Sequence, residues 1–471
     1  MFAAFLFPKR TKIYCALVAV FIYVPYLVKL LHYIMFKTLF DRGAAIAIFD
    51  TNRREALEFI TSYIGLSGAA AACLYLAFAI YSVRRAKPIS EIKNLNLLRQ
   101  IFFMFFILSL TRGVYDRRPS KWRLAPYEIH SYYSDFKREM DKINIARKRN
   151  FPKFEGIAPV LKSKRMTFAI VFGEAAAREH FSLYGYHRNT NPFLGKMKKD
   201  LILYNAVSPH PQTITSFQKM LSLAEFGNMD AMYSKGSMVN FFKDAGFKTF
   251  WISNQQKSGR HNNYISVVAD DSDKATFLKD SGDGDKYDES LLIPLAEAMK
   301  DNADKKAIFL HLAGSHHPYS SKYPQNFEEW RGAKNRTERF IDAYDNSIRY
   351  TDYVLQKIIS MLEAENSTSY LVYVPDHGED AIDENSSFDH GTSNIRNNML
   401  EIPLIVWLSP EYKRQRAQFS EKLKGFAGRG FNTQNLFHAV MDLSGLYNQD
   451  IDTKKSPFSQ HYEEPNTLII K

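Results

Sequence analysis

The chain has 471 residues, a formal net charge of +12 and only two cysteines, Cys15 and Cys73. This length accommodates one large core and a second unit, while two cysteines exclude a disulfide-stapled fold and a thiolate metal cluster. The basic charge comes with no nucleic-acid-binding module, Cys/His finger or aromatic-glycine RNA motif, so it fits an anionic membrane or glycolipid, or a solvated basic surface with no partner, rather than a nucleic acid.

Apolar residues concentrate near the start. Ile13–Phe36 is long enough to cross a bilayer despite Pro25 and Lys29, and Phe59–Val83 carries no charge. A third run, Ile101–Leu110, needs residues from both flanks to span. Lys9, Arg10 and Lys12 resemble the basic start of a signal peptide, but the apolar stretch is too long and no small-residue cleavage site follows, so a retained anchor is expected. Basic clusters before the first run and at Arg84, Arg85 and Lys87 place both on the cytoplasmic side. Three crossings then put everything after about Arg112 outside. Residues 1–111 form the expected anchor. Residues 112–165, polar, basic and broken by prolines, read as a linker along the membrane surface, with Ser134–Lys148 as an amphipathic helix.

From 166 to 471 the pattern is that of an α/β domain. Short apolar runs recur at Thr167–Phe172, Leu201–Val207, Lys248–Ser253, Ala307–Leu312, Tyr370–Val374 and Pro403–Leu408. Helix-period segments lie between them: Ile214–Phe226, Tyr287–Lys300 and Thr337–Ala364. This alternation predicts a mostly parallel sheet covered on both faces.

Chemistry-bearing residues collect where those strands end. Glu174 follows the first strand and Thr213 the second; His316 follows the fourth, and Asp376-His377-Gly378-Glu379 the fifth. In an open α/β sheet, ligands bind beyond the carboxyl ends of strands, so these loops are expected to share one site. An apolar strand running into two potential ligands is costly without a cation, and carboxylates with imidazoles suit zinc or manganese. Thr213 follows Pro209 and Pro211 where a helix begins. Its segment alone reads as a helix N-cap; beside a metal the same hydroxyl would be a nucleophile.

Phe172-Gly173-Glu174, with Arg178-Glu179-His180 through Tyr186 to Pro192, resembles the opening signature of the phosphoethanolamine transferases of the alkaline phosphatase/sulfatase superfamily. Further matches occur in order: Trp251 to Gln255, Tyr287-Asp288-Glu289, His311 to His316, Tyr344 to Ile348, Asp376 to Glu379 and His390-Gly391. The resemblance implies that Glu174, Asp376 and His377 hold zinc with Thr213, which becomes phosphoethanolamine-bound. It implies that His316 and His390 act as acid/base groups or auxiliary ligands on the substrate side, and that Asn254 and His311 help to bind substrate. Thr51 and Glu55, in the loop between the first two spans, match a pair that holds the amine of the phosphatidylethanolamine donor. The acceptor would be a lipopolysaccharide, a lipooligosaccharide or another envelope glycan, and the catalytic domain would lie in the periplasm of a bacterial inner-membrane protein. The chain departs from the family at Ala175 and Ala177, where Ser or Thr and Arg are usual, and at Ala47, where Asn is common. Relatives acting on lipid A often carry periplasmic disulfides, and their absence here favours a core sugar or another glycan. A phosphoglycerol transferase or sulfatase-like hydrolase on the same fold, and an inactive membrane-tethered binding protein, are the alternative readings.

Overall fold

The computed structural model describes residues 11–36, 40–50, 66–85, 125–148, 151–257, 264–280, 287–380 and 395–465. The chain divides into two compact units, Met1–Phe49 with Glu55–Lys137 and Asp50–Arg54 with Arg138–Lys471.

Helices make up the described part of the first unit: α1 (Thr11–Phe36), α2 (Arg42–Asp50), α3 (Leu66–Arg85) and the start of α4 (Ala125–Lys148). The Asp41 carboxylate caps α2 by accepting the Ala44 amide proton at 2.8 Å. α1 and α3 pack through Tyr23, whose ring lies 5.6 Å from that of Tyr75 and 6.4 Å from that of Phe78. Lys29 of α1 donates to Glu128 of α4 at 2.6 Å, and Tyr132 donates to the same carboxylate. Among the described residues no helix is long and apolar enough to cross a membrane. α1 contains Pro25, and α3 closes on Arg84 and Arg85. Residues 59–65 of the second expected span, and the whole of the third, lie outside the described residues. Both helices nonetheless present large apolar side chains outward, among them Ile13, Leu17, Phe21, Leu74 and Phe78.

The second unit is built on an eight-stranded sheet: β1 (Met166–Gly173), β2 (Leu201–Val207), β3 (Lys248–Ser253), β4 (Lys274–Phe277), β5 (Lys305–His311), β6 (Thr368–Pro375), β7 (Glu401–Leu408) and β8 (Gly430–Asn432). Their spatial order is β4-β3-β5-β1-β6-β7-β2-β8. Every pairing is parallel except those of β7, which runs against both neighbours. The expected mostly parallel sheet is thus present. Two short strands, β4 and β8, are additional to the six expected, and both lie at edges. Helices connect the strands, among them α5 (Thr213–Met220) after β2, α6 (Leu292–Met299) before β5, and the long α7 (Arg336–Ala364) before β6. Asn335 caps α7, accepting the Glu338 amide proton at 2.8 Å.

β1, β5 and β6 are buried on both faces, which is why they read as continuous apolar runs. Successive side chains go to opposite faces. Ala169, Val171, Ile308, Leu310, Leu371 and Tyr373 join one core layer with Ile348, Val354 and Leu355 of α7. On the other face Phe168 stacks on Tyr370 at 4.4 Å, Trp251 stacks on Phe309 at 5.8 Å, and Phe172 meets Phe217 of α5 at 5.1 Å. The strand register sets where the loops emerge. Gly173 pairs with Pro375, and Phe172 and Ser253 both pair with His311, so these strands end together and release their loops on one side.

Candidate functional site

Because β1 and β6 end in register, the next residues, Glu174 and Asp376, leave the sheet side by side. The ladder continues one step further, the Asp376 amide donating to the Gly173 carbonyl at 3.2 Å. The chain then turns sharply. Ala175 takes a left-handed conformation at φ +50°, unfavourable for a residue with a Cβ. Three contacts hold it: its amide donates to Asp376 Oδ1 at 3.1 Å, the Tyr344 hydroxyl donates to its carbonyl at 2.8 Å, and the Ala177 amide donates to that hydroxyl at 2.8 Å.

Thr213 arrives from β2. Ser208, at that strand's end, ties the next loop to β6, its Oγ lying 2.5 Å from the Asp376 carbonyl oxygen, 2.7 Å from that of His210 and 2.9 Å from Ser216 Oγ. Gln212 occupies the N-cap of α5 and Thr213 is the first helical residue. The Thr213 hydroxyl is therefore not spent on capping. It donates to Glu174 Oε1 at 3.2 Å and lies 3.4 Å from His377 Nε2. The four groups expected around a metal are brought together, although Thr213 is 39 residues from Glu174 and 164 from His377.

Glu174, Asp376 and His377 are each almost fully buried, and one oxygen or nitrogen from each falls within 4.8 Å of the others. His377 Nδ1 lies 2.7 Å from the Gly378 carbonyl, which fixes Nδ1 as the donor and turns Nε2 to the carboxylates. Nε2 stands 3.4 Å from Glu174 Oε1 and 3.4 Å from Asp376 Oδ2. Burial alone would lower the imidazole's pKa, but the Asp376 and Glu174 carboxylates outweigh it and raise it to about 10. Burial opposes ionisation of Glu174, yet the hydrogen bond and charge of His377 carry its pKa well below the usual carboxylate range. Burial and the Glu174 charge together push Asp376 up to about 7.

The donor set fits a zinc ion. Asp376 Oδ2 is buried and has no hydrogen-bond partner among the described residues, and two buried carboxylates outnumber the single imidazole. A divalent cation satisfies both conditions, and nitrogen and oxygen donors without thiolate are within zinc's range.

The remaining expected residues take different places. His311, ending β5, is buried with Nδ1 3.2 Å from Ser253 Oγ and the edge of Phe217 against it. Burial lowers its pKa to about 4, so it is neutral at pH 7. His316 is exposed, with Nδ1 2.7 Å from the His317 carbonyl, and its charge is among those that lower the Glu174 pKa. Asn254 is fully buried and donates to Asp288 at 2.8 Å. That aspartate also accepts the amides of Ala313 and Gly314, so Asn254 helps shape the turn leading to His316. Gly314, at φ +52°, passes so close that a Cβ there would lie 2.7 Å from the Glu174 nitrogen. Thr51, Glu55 and His390 lie outside the described residues.

Sequence reasoning gave no role to Tyr344, Ser208, Asp288 or Gln255. Tyr344, Asp288 and Gln255 sit inside matched motifs, but their work is contact with backbone or carboxylate, which no spacing rule encodes. Beside the site, the buried Asp345 carboxylate lies 2.6 Å from His180 Nδ1 and accepts from Tyr186 at 3.0 Å and Arg188 at 2.8 Å, tying the segment after Glu174 to α7.

A sequence profile of the sulfatase family matches residues 167–446. The chain is similar to phosphoethanolamine transferase EptC of Escherichia coli strain K12, 28% identical over 497 residues that cover 99% of this chain and 85% of the relative. The crystal structure of the C-terminal periplasmic domain of Escherichia coli EptC in complex with Zn superposes with a TM-score of 0.62 at 30% identity, covering 67% of this chain and 92% of that one. The integral membrane lipooligosaccharide phosphoethanolamine transferase A of Neisseria meningitidis shares the fold with a TM-score of 0.67 at 18% identity, across 97% of this chain and 88% of that one.

Proposed function

The chain belongs to the sulfatase family and, within it, to the phosphoethanolamine transferases, and on that premise we propose that it moves phosphoethanolamine from phosphatidylethanolamine to a lipopolysaccharide, lipooligosaccharide or other envelope glycan by way of Thr213. Zinc, held by Glu174, Asp376, His377 and Thr213, supplies Lewis-acid stabilisation of charge on the phosphoryl oxygens. The positive end of α5 favours loss of the Thr213 proton, which would pass to solvent as the metal binds. Thr213 Oγ1 attacks phosphorus, and the bond from phosphorus to the glycerol oxygen breaks. His316 protonates the departing diacylglycerol; in the second step it takes the proton of the acceptor hydroxyl, whose oxygen attacks phosphorus as the bond from phosphorus to Thr213 Oγ1 breaks. Thr51 and Glu55 hold the donor amine, and His390 lines the acceptor side.

One observation carries this reading: the Thr213 hydroxyl lies 3.2 Å from Glu174 Oε1 and 3.4 Å from His377 Nε2 at a helix N-terminus. Intact-mass analysis after incubation with phosphatidylethanolamine tests it. The wild type gains one phosphoethanolamine and Thr213→Ala gains none; an adduct persisting in the variant removes Thr213 as the nucleophile.

The donor is a bilayer lipid, so the same reading anchors the chain in the inner membrane by several passes, with the catalytic unit in the periplasm. The outward-facing Ile13, Leu17, Phe21, Leu74 and Phe78 support it, because apolar surface of this kind favours a lipid environment. A reporter fused after residue 130 should be active in the periplasm, and cytoplasmic activity would reverse the placement.

A further inference from the structure

After β3 the chain crosses in front of Glu174. The Asn254 amide donates to the His311 carbonyl at 2.9 Å, prolonging the ladder, and the Gln255 amide donates to Ser253 Oγ at 3.1 Å. Gln255 Nε2 then donates twice, to Glu174 Oε2 at 3.1 Å and to the Leu312 carbonyl at 2.9 Å. A carboxamide nitrogen carries two protons and no acceptor, so these two oxygens determine which way the amide faces.

Glutamate needs such a partner. The last torsion of its side chain is broad, and without restraint the carboxylate swings through a wide arc. Here Oε2 is engaged by Gln255, and Oε1 is the oxygen that faces Thr213 and His377. Because the Leu312 carbonyl belongs to the backbone beyond β5, Gln255 refers the carboxylate to the rigid sheet. We propose that Gln255 is a positioning residue that makes Glu174 a one-oxygen metal ligand, holding Oε2 away from the ion so that the position beside Thr213 stays open to substrate. This rests on the zinc reading of the site. Partners that orient a metal ligand commonly contribute 10–100-fold to metal affinity, and about that loss is expected when the donor is removed.

The test uses the full-length protein, stripped of metal and titrated with zinc. Gln255→Met keeps the length and approximate volume of the side chain but donates nothing; Gln255→Asn keeps an amide too short to reach both oxygens. In each, the Kd for zinc should rise about 10–100-fold, measured at a temperature where the metal-free variant is fully folded. A Gln255→Met variant that binds zinc as tightly as wild type overturns the proposal. A fall in metal-free melting temperature with the Kd for zinc unchanged in both variants would likewise overturn it and make Gln255 a packing residue. Wild-type protein that fails to bind zinc at all would overturn the metal reading itself, a result distinct from failure of the variants.

Discussion

Replacing Tyr344 by phenylalanine deletes one oxygen and keeps the ring, so it isolates the bridge that holds the turn after Glu174. Both partners of that oxygen, the Ala175 carbonyl and the Ala177 amide, are at 2.8 Å and belong to buried residues. Burial and the nearby Glu379 charge raise the phenol's pKa well above its ordinary value, so the hydroxyl is protonated at any working pH. An orphaned buried amide costs about 1–3 kcal/mol. At roughly 2 kcal/mol, and with about 1.4 kcal/mol per factor of ten, local opening at Ala177 becomes about 30-fold more frequent. The loss lands on Ala175, whose left-handed conformation already carries about 1–2 kcal/mol of strain, so Glu174 should loosen with it. Hydrogen exchange read at the Ala177 amide measures the effect, with zinc affinity as the second readout. Exchange within about threefold of wild type would mean that the bridge does not hold the turn, and the reasoning would be wrong.

Stability of the metal-free protein should fall as pH rises. His377 is raised from 6.5 to about 10, so its contribution is complete below 6.5 and lost as pH climbs through about 10, while Asp376, raised from 3.8 to about 7, adds a loss below neutrality. Calorimetry should therefore find a lower melting temperature at pH 9 than at pH 6, and a rise over that interval would contradict the assignment. Asp345→Asn removes the buried charge that His180, Tyr186 and Arg188 surround, and, because Arg188 keeps Asp342 as a partner, should destabilise the fold by about 1.5–3 kcal/mol in a melting series. Glu55→Ala should sharply reduce turnover of phosphatidylethanolamine and spare a small phosphoester lacking an amine; equal loss on both would end its role at the donor.

Much of the catalytic unit was legible in the residue pattern. β1, β5 and β6 are covered on both faces, and that burial demands unbroken apolar runs, which stand out in any sequence. β4 and β8 escaped because edge strands of four and three residues bury too little to impose a pattern. Their place at strand ends collected Glu174, Thr213, Asp376 and His377 into one expected site, and the family resemblance gave them their roles. Read locally, however, Thr213 was as good an N-cap as a nucleophile. The tertiary structure removed the capping reading by putting Gln212 at the cap, and it set the Thr213 hydroxyl against Glu174. The work of Gln255, Tyr344 and Ser208 was equally invisible. Each acts through a backbone or carboxylate oxygen brought near by the parallel register of β1, β5 and β6, and contacts across such distances in sequence exist only once the sheet has formed.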